Sequence, residues 1–464
     1  MNNKPKSHTQ IQASRETSLP ASSSEIPKGF KMTELGSLPE EWQVVQLKEV
    51  ADFSRKPRDL VLKNFAKIPF ISMDLIPDDG TTIPGYIFKP GNRISSGIYC
   101  EPGDILLAKI TPCLENGKQC VVPNFKEGFA FATTEVYSLK PKHGIIDRYY
   151  LFAFLRDPTI RKELASKMEG STGRQRLPKH VLGNLEIPLP PLPEQRAIAY
   201  VLRTVQRAKE ATERVIAALR ELKKSLMKHL FTYGPVPLDQ ADRIPLKETE
   251  IGPVPEHWKV VKFSSVVTTV SGQVDPRAKP YAEMVHVGPE NIEEATGRLI
   301  NLKSAKELGL KSGKYLFSPE HVLYSKIRPY LRKAALPDFK GICSADMYAL
   351  KPNLGELTRE FLFYWLLSEA FTRQAVSYQN RTGIPKINRQ QLGSTWIPLP
   401  PLPEQREIAR ILQTIDRKIE AEEKRKQALE AFFETLLHHL MTAEVRLSEN
   451  FVSRFGSKTV EVEP

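Results

Sequence analysis

The chain is poor in cysteine, has no long apolar run and carries none of the short motifs that usually announce catalysis. Four cysteines in 464 residues, Cys100, Cys113, Cys120 and Cys343, form no C-x-x-C pair. That excludes the common zinc sites and the dense disulfide frameworks of small secreted domains. Buried or free thiols are expected instead, and no metal ligand is assigned. No uninterrupted apolar stretch approaches the ~20 residues that a membrane-spanning helix requires. The N-terminal stretch is polar, rich in Ser, Lys and Pro, and lacks the apolar core of a signal peptide. It reads as a disordered leader, and the cytoplasm is the expected compartment. The nearest approach to a phosphate-binding loop, GLKSGKY from Gly309, has the wrong spacing and a Tyr where a magnesium-binding Ser or Thr belongs. No H-E-x-x-H occurs, Pro337-Asp338 is not followed by a nuclease-type Glu-x-Lys, and no Gly-rich turn suited to a methyl donor follows a strand. No catalytic residue is assigned. Negative charge is the scarcer sign, 54 Asp and Glu against 67 Lys and Arg, for a net +13. Such an excess attracts polyanions, of which nucleic acid is the commonest in the cytoplasm.

What the chain does have is a phrase said twice. IPLPPLPEQR runs from Ile187 to Arg196 and again, letter for letter, from Ile397 to Arg406. Such a repeat implies a duplicated unit. Proline forces extended backbone and then suits the first turn of a helix, so the phrase launches one. After it, Ile198, Leu202, Val205, Ile216, Leu219, Leu226 and Leu230 recur at spacings of three and four or sums of these. Ile408, Leu412, Ile415, Ile419, Leu429, Phe433, Leu436 and Leu440 do so after the second copy. Sustained seams of this period predict coiled-coil helices; at ~1.5 Å per residue, a helix from Glu194 to Leu230 is a rod of roughly 55 Å.

Each phrase is preceded by a module. A Pro-Glu-x-Trp turn opens it, with Trp42 echoed by Trp258, and leads into alternating Val and polar residues. Short apolar runs broken by Gly, Pro and Asp follow, predicting mixed α+β structure with a curled sheet. PGDILLAKITP (102–112) faces PEHVLYSKIRP (319–329), and TTEVYSLKP (133–141) faces SADMYALKP (344–352). A helical segment comes next, 149–168 and 359–378, whose aromatics are expected in the core. A polar loop with Thr-Gly closes each module. Glycine lets backbone approach a phosphate, and hydroxyl and cationic groups supply donors. The DNA-contact candidates are therefore Lys109, Thr172, Gly173, Arg174, Arg176 and Lys179 in the first module, and Lys326, Arg328, Arg381, Thr382, Gly383, Lys386 and Arg389 in the second. Lys109 and Lys326 recur at equivalent places, which suits phosphate positioning.

Two modules, each closed by a T-G loop, the I-P-L-P-P-L-P-E-Q phrase and a long helix, resemble the specificity subunit of type I restriction-modification systems, over about residues 30–442. The resemblance implies an α+β fold in which two similar target-recognition domains are joined by two long antiparallel coiled-coil helices, related by a pseudo-twofold internal repeat. The corresponding segments are a leader (1–29), a first recognition domain (30–186), a Pro-rich lead-in with spacer helix (187–232) and a linker (233–250). A second recognition domain (251–396), a second lead-in with helix (397–442) and a polar tail (443–464) complete the chain. It also implies a non-catalytic protein that binds double-stranded DNA at a bipartite, asymmetric site. Its partners would be two modification (methyltransferase) subunits and restriction (translocase/endonuclease) subunits. S-adenosylmethionine, ATP and magnesium would sit on those partners, with no cofactor in this chain. The competing expectation is a DNA-modifying enzyme with a cryptic catalytic site of its own.

Overall fold

The computed structural model describes residues 28–171, 173–378 and 385–456. The leader up to residue 27, Thr172, Arg381, Thr382, Gly383 and the last eight residues of the tail lie outside them. The chain divides into two compact units, Met1–Glu210 with Ala428–Pro464, and Ala211–Gln427. Each long helix begins in one unit and ends in the other.

The first unit holds two four-stranded sheets. One has the order Ile87–Lys89, Ile68–Ile71, Ala130–Ala132, Ile98–Cys100; the other Ala51–Phe53, Val136–Pro141, Ile105–Ala108, Gln119–Val121. The second unit repeats both orders, with Lys303–Ser304, Val285–Val287, Gly341–Cys343, Tyr315–Phe317, and with Val267–Thr269, Met347–Pro352, Val322–Ser325, Ala334–Ala335. Each unit has one parallel pair, at the same place: Ala130–Ala132 on Ile68–Ile71, and Gly341–Cys343 on Val285–Val287. Ile105–Ala108 and Val322–Ser325 are buried at every position, so these strands read as apolar runs without alternation.

The repeated phrase is the joint of each unit. Its first residues form a separate two-stranded antiparallel sheet with the strand that follows the Trp turn, Ile187 pairing with Val45 and Ile397 with Val261. Its Glu accepts the indole N–H of the buried Trp that opens the module: Trp42 to Glu194 at 3.0 Å, Trp258 to Glu404 at 2.9 Å. The Gln beside it clamps a helix start. Gln195 accepts from the amide of Asp147 and Gln405 from that of Thr358, both at 2.8 Å. Asp147 and Thr358 are in turn the N-caps of Arg148–Phe154 and Arg359–Leu367. A buried polar side chain must find partners, and here the partners are the elements that the phrase has to orient.

The long helices span Leu192–Tyr233 and Leu402–Met441 and run antiparallel within each unit. In the first unit, Ile198, Leu202 and Val205 share a core with Phe433, Leu437 and Leu440. In the second unit the seam turns ionic where the second helix reads EAEEKRKQ. Glu213 meets Lys426, Arg220 meets Glu423, and the buried Lys223 meets Asp416 at 2.6 Å.

Local chemistry divides what the sequence pattern suggests as single helical segments. Asp157 caps a new helix with Pro158 at its first position, and Ser368 caps another, so each segment is two helices. Their aromatics, among them Tyr150, Phe154, Phe361 and Trp365, are core. The described part of the tail is not merely polar: Glu449–Ser453 is helical, and Phe451 and Phe455 pack against Tyr200. The linker carries a 3-10 turn, Leu238–Arg243, and then Leu246–Lys247, which pairs with Val254–Pro255. His229 is buried and bonds the Val236 carbonyl at 2.7 Å. Cys100, Cys120 and Cys343 are buried and free; burial pushes the Cys120 and Cys343 thiols up to about 12, which makes them inert. Among the described residues no helix is long and apolar enough to cross a membrane.

Candidate nucleic-acid interface

In the first module the strand Val136–Pro141 places Tyr137 between two arms of the chain. Its hydroxyl donates to the Leu177 carbonyl at 2.7 Å, and Leu177 donates its amide to the Lys109 carbonyl at 2.8 Å. The loop containing Arg174 and Arg176 is thereby fastened to the strand end that carries Lys109. The Lys109 ammonium lies 5.0 Å from the Tyr137 ring centre. Burial pulls its pKa down; Glu135 opposes that pull and Arg176 adds to it. Arg176 is bonded through two nitrogens to Glu135, at 3.2 and 3.0 Å, which holds the Glu135 carboxyl below its usual range. Lys179 stands 4.2 Å over the Phe53 ring, and Phe53 meets Tyr137 edge-on at 5.4 Å. Gly173 adopts a left-handed φ of +80°, the conformation that glycine takes most readily. Arg174, Arg176 and Lys179 are exposed.

The second module builds the same arrangement from different residues. Tyr348 donates its hydroxyl to the Ile387 carbonyl at 3.2 Å, and Ile387 donates its amide to the Lys326 carbonyl. Lys326 donates to the Ala345 carbonyl and lies 3.6 Å from the Asp346 carboxylate. Lys386 pairs with Ile327 through a backbone bridge, and Arg389 donates to the Val270 carbonyl at 3.0 Å. Arg328 takes a left-handed φ of +48°, with its amide bonded to the Pro385 carbonyl at 2.7 Å.

The structure thus groups Lys109, Arg176 and Lys179 around Tyr137, Glu135 and Phe53, with Gly173 and Arg174 in the same loop. In the second module it ties the segments carrying Lys326, Arg328 and Lys386 together through the backbone, with Arg389 bonded to Val270. Sequence reasoning missed the residues that organise them: Glu135 and Asp346, Tyr137 and Tyr348, and Phe53. The signal was present, because an acid and a tyrosine stand at matching places in TTEVYSLKP and SADMYALKP. A carboxylate beside paired cations keeps them oriented and lowers their net attraction for anions. The cluster therefore favours a ligand able to outbid that carboxylate, as a phosphate backbone does.

A family model described as the type I restriction modification DNA specificity domain matches the chain twice, at residues 39–221 and 255–431. The chain is 27% identical over 398 residues to the EcoDI type I restriction enzyme specificity subunit of Escherichia coli, covering 82% of each. It is 27% identical over 428 residues to the MjaVIII type I restriction enzyme specificity subunit of Methanocaldococcus jannaschii, covering 88% of this chain and 94% of that one. A chain from a solved structure of a type I R-M system superposes with a TM-score of 0.53 at 20% identity, covering 88% of this chain and 99% of its own. The S subunit of a type I restriction-modification system from M. genitalium gives 0.52 at 14%, covering 86% and 96%; at that identity these two speak for the fold alone. Because each match of the family model spans one module with its phrase and much of the helix that follows, and the two together span most of the sequence, the chain belongs to the family of type I restriction-modification DNA specificity subunits.

Proposed function

We propose that this chain is a non-catalytic reader that binds double-stranded DNA at a split, asymmetric site, one half per module. It would direct methylation by two modification subunits and cleavage by restriction subunits in the cytoplasm. S-adenosylmethionine, ATP and magnesium belong, on this reading, to those partners. The observation that carries it is the cluster of lysine, tyrosine and carboxylate built at the same scaffold position in both modules. A recurring phosphate-positioning site sets each module on a duplex, and the unlike side chains around it read unlike bases.

Methylation mapping of DNA from cells expressing this chain with its modification subunits tests the proposal. The expected motif has two different halves separated by a fixed gap; an uninterrupted palindrome overturns it. Purified chain alone, given DNA, S-adenosylmethionine and magnesium, is expected neither to modify nor to cut. Within the complex, Arg174→Ala with Arg176→Ala is expected to weaken binding at one half-site only, and equal loss at both halves counts against the assignment.

A further inference from the structure

The first module carries a second cationic surface, on elements that the repeated loops do not reach. Between Phe53 and Ile68 the chain runs SRKPRDLVLKNFAK. Arg55, Lys56, Arg58, Lys63 and Lys67 are all exposed, with Asp59 as the lone acid. None of the five forms an ion pair among the described residues, whereas Arg176 and Lys326 each face a carboxylate. The segment is firmly seated. Leu60, Leu62 and Phe65 pack on a buried cluster of Ile68, Phe70, Tyr99, Phe129 and Phe131, and the Phe65 carbonyl accepts the Gly91 amide at 3.1 Å. A Cβ at Gly91 would fall 1.8 Å from the Leu62 carbonyl oxygen, so only glycine permits this crossing.

Beside the segment lies Ile87–Lys89, an edge strand of its sheet. Tyr86, Ile87 and Phe88 are 42%, 47% and 48% exposed in succession. Tyr86 meets Phe88 and Phe125 edge-on, and the Lys67 ammonium lies 5.9 Å from the Phe88 ring centre. An apolar edge of this kind is a liability unless something covers it. With Lys67 against Phe88 and four further unneutralised cations on the same segment, the surface suits a polyanion that also offers flat apolar faces, which describes nucleic acid. The surface adjoins the site already described, since the segment begins two residues after Phe53, whose ring touches Tyr137 and Lys179. The second module differs in this place among the described residues. There Arg277 is bonded twice to Asp275, and the edge strand is Lys303–Ser304.

We propose that segment 55–67 and the Tyr86–Phe88 edge form a second DNA-contacting surface of the first module, its cations meeting phosphates and its two aromatic rings lying against sugar and base edges. The proposal rests on the DNA-reading function argued above.

The test uses the full chain assembled with its modification subunits and two short duplexes, one of random sequence and one bearing the mapped site. Arg55, Arg58, Lys63 and Lys67 are replaced together by Ala; separately, Tyr86→Ala is combined with Phe88→Ala. Each phosphate contact contributes ~0.9 to the slope of log affinity against log salt. The four-fold variant is therefore expected to lose about 3 to 4 from that slope and to bind both duplexes roughly 100-fold more weakly at physiological salt. The aromatic variant is expected to lose about 10-fold, with the slope unchanged. A conservative set with Lys at positions 55 and 58 is expected to keep the slope, which separates charge from folding. If the wild-type complex binds DNA and the four-fold variant matches it in slope and affinity, the second surface is overturned while the DNA-reading function stands. If the wild type shows no salt-dependent binding, the DNA-reading function itself falls. Loss of the modification subunits with DNA affinity intact would assign the surface to a protein and overturn the proposal.

Discussion

In the first unit Trp42 gives its indole N–H to Glu194, and in the second Trp258 gives its own to Glu404, at distances that differ by a tenth of an ångström. Strand order, the parallel pair and the glutamine clamp match as well. The turn after the shared lysine does not. In the first module it reads Ile-Thr-Pro-Cys-Leu-Glu from Ile110, and in the second Ile-Arg-Pro-Tyr-Leu-Arg from Ile327. The second version holds Arg328 and Arg332 in left-handed backbone and leaves Tyr330 50% exposed. The first module keeps its unneutralised cations and exposed aromatics on 55–67 and 86–88 instead. Buried joints fix where a module's elements lie, and they tolerate exposed loops whose cations and aromatics differ from one module to the other.

The comparison breaks first if the joints are not equivalent. Trp42 and Trp258 are 1% and 0% exposed, and removing a buried aromatic costs about 3 to 5 kcal/mol. Trp42→Ala and Trp258→Ala are each expected to destabilise their own unit by about that amount, read as lost amide hydrogen-exchange protection unit by unit. A loss in one unit several times that in the other would show that the phrase has a different structural role in its two settings.

A smaller effect separates the joints by their third member. Glu194, 5% exposed, is also held by Arg446 from beyond the second helix, which reaches Glu41 as well. Glu404, more open, takes His257 at 2.8 Å. Removing Arg446 leaves a buried carboxylate short of a partner, a loss of about 1 to 3 kcal/mol. Removing His257 breaks an exposed pair, a loss of about 1 kcal/mol or less. Arg446→Ala is expected to lower hydrogen-exchange protection in the first unit well beyond what His257→Ala does in the second; equal effects would remove the distinction.

How much of this was legible in the sequence depended on repetition. The phrase, the Trp turns and Lys109 with Lys326 stood out because each occurs twice. The bond from Trp42 to Glu194 spans 152 residues, and no local pattern encodes such a pairing. Helix breaks at Asp157-Pro158 and Ser368 had a signal, a capping residue ahead of a helix start, which the longer apolar period hid. The tail looked polar although Phe451 and Phe455, four apart, mark one face. Segment 55–67 escaped for the opposite reason: it occurs once, and a reading guided by recurrence overlooks what only one copy has. Glu135 and Asp346 recur but carry the sign that a search for DNA contacts passes over.

Those two carboxylates offer the finest test of the comparison. Glu135 binds Arg176 through two nitrogens, whereas Asp346 faces Lys326 at 3.6 Å. Glu135→Gln and Asp346→Asn each remove one negative charge beside cations proposed to meet phosphate. Both are expected to tighten binding to a random-sequence duplex, by roughly 3- to 10-fold, and to steepen its salt dependence. The gain is expected to be larger for Glu135→Gln, because a bidentate guanidinium pair neutralises its cation more fully than a lysine at longer range does. Mild acid is no substitute for the mutation. Arg176 holds the Glu135 carboxyl below the ordinary carboxylate range, so it stays charged as pH falls through that range and keeps Arg176 engaged. If Glu135→Gln leaves random-duplex affinity unchanged while Asp346→Asn raises it, the two clusters do not share a role, and the first module's phosphate contacts must be sought on segment 55–67 alone.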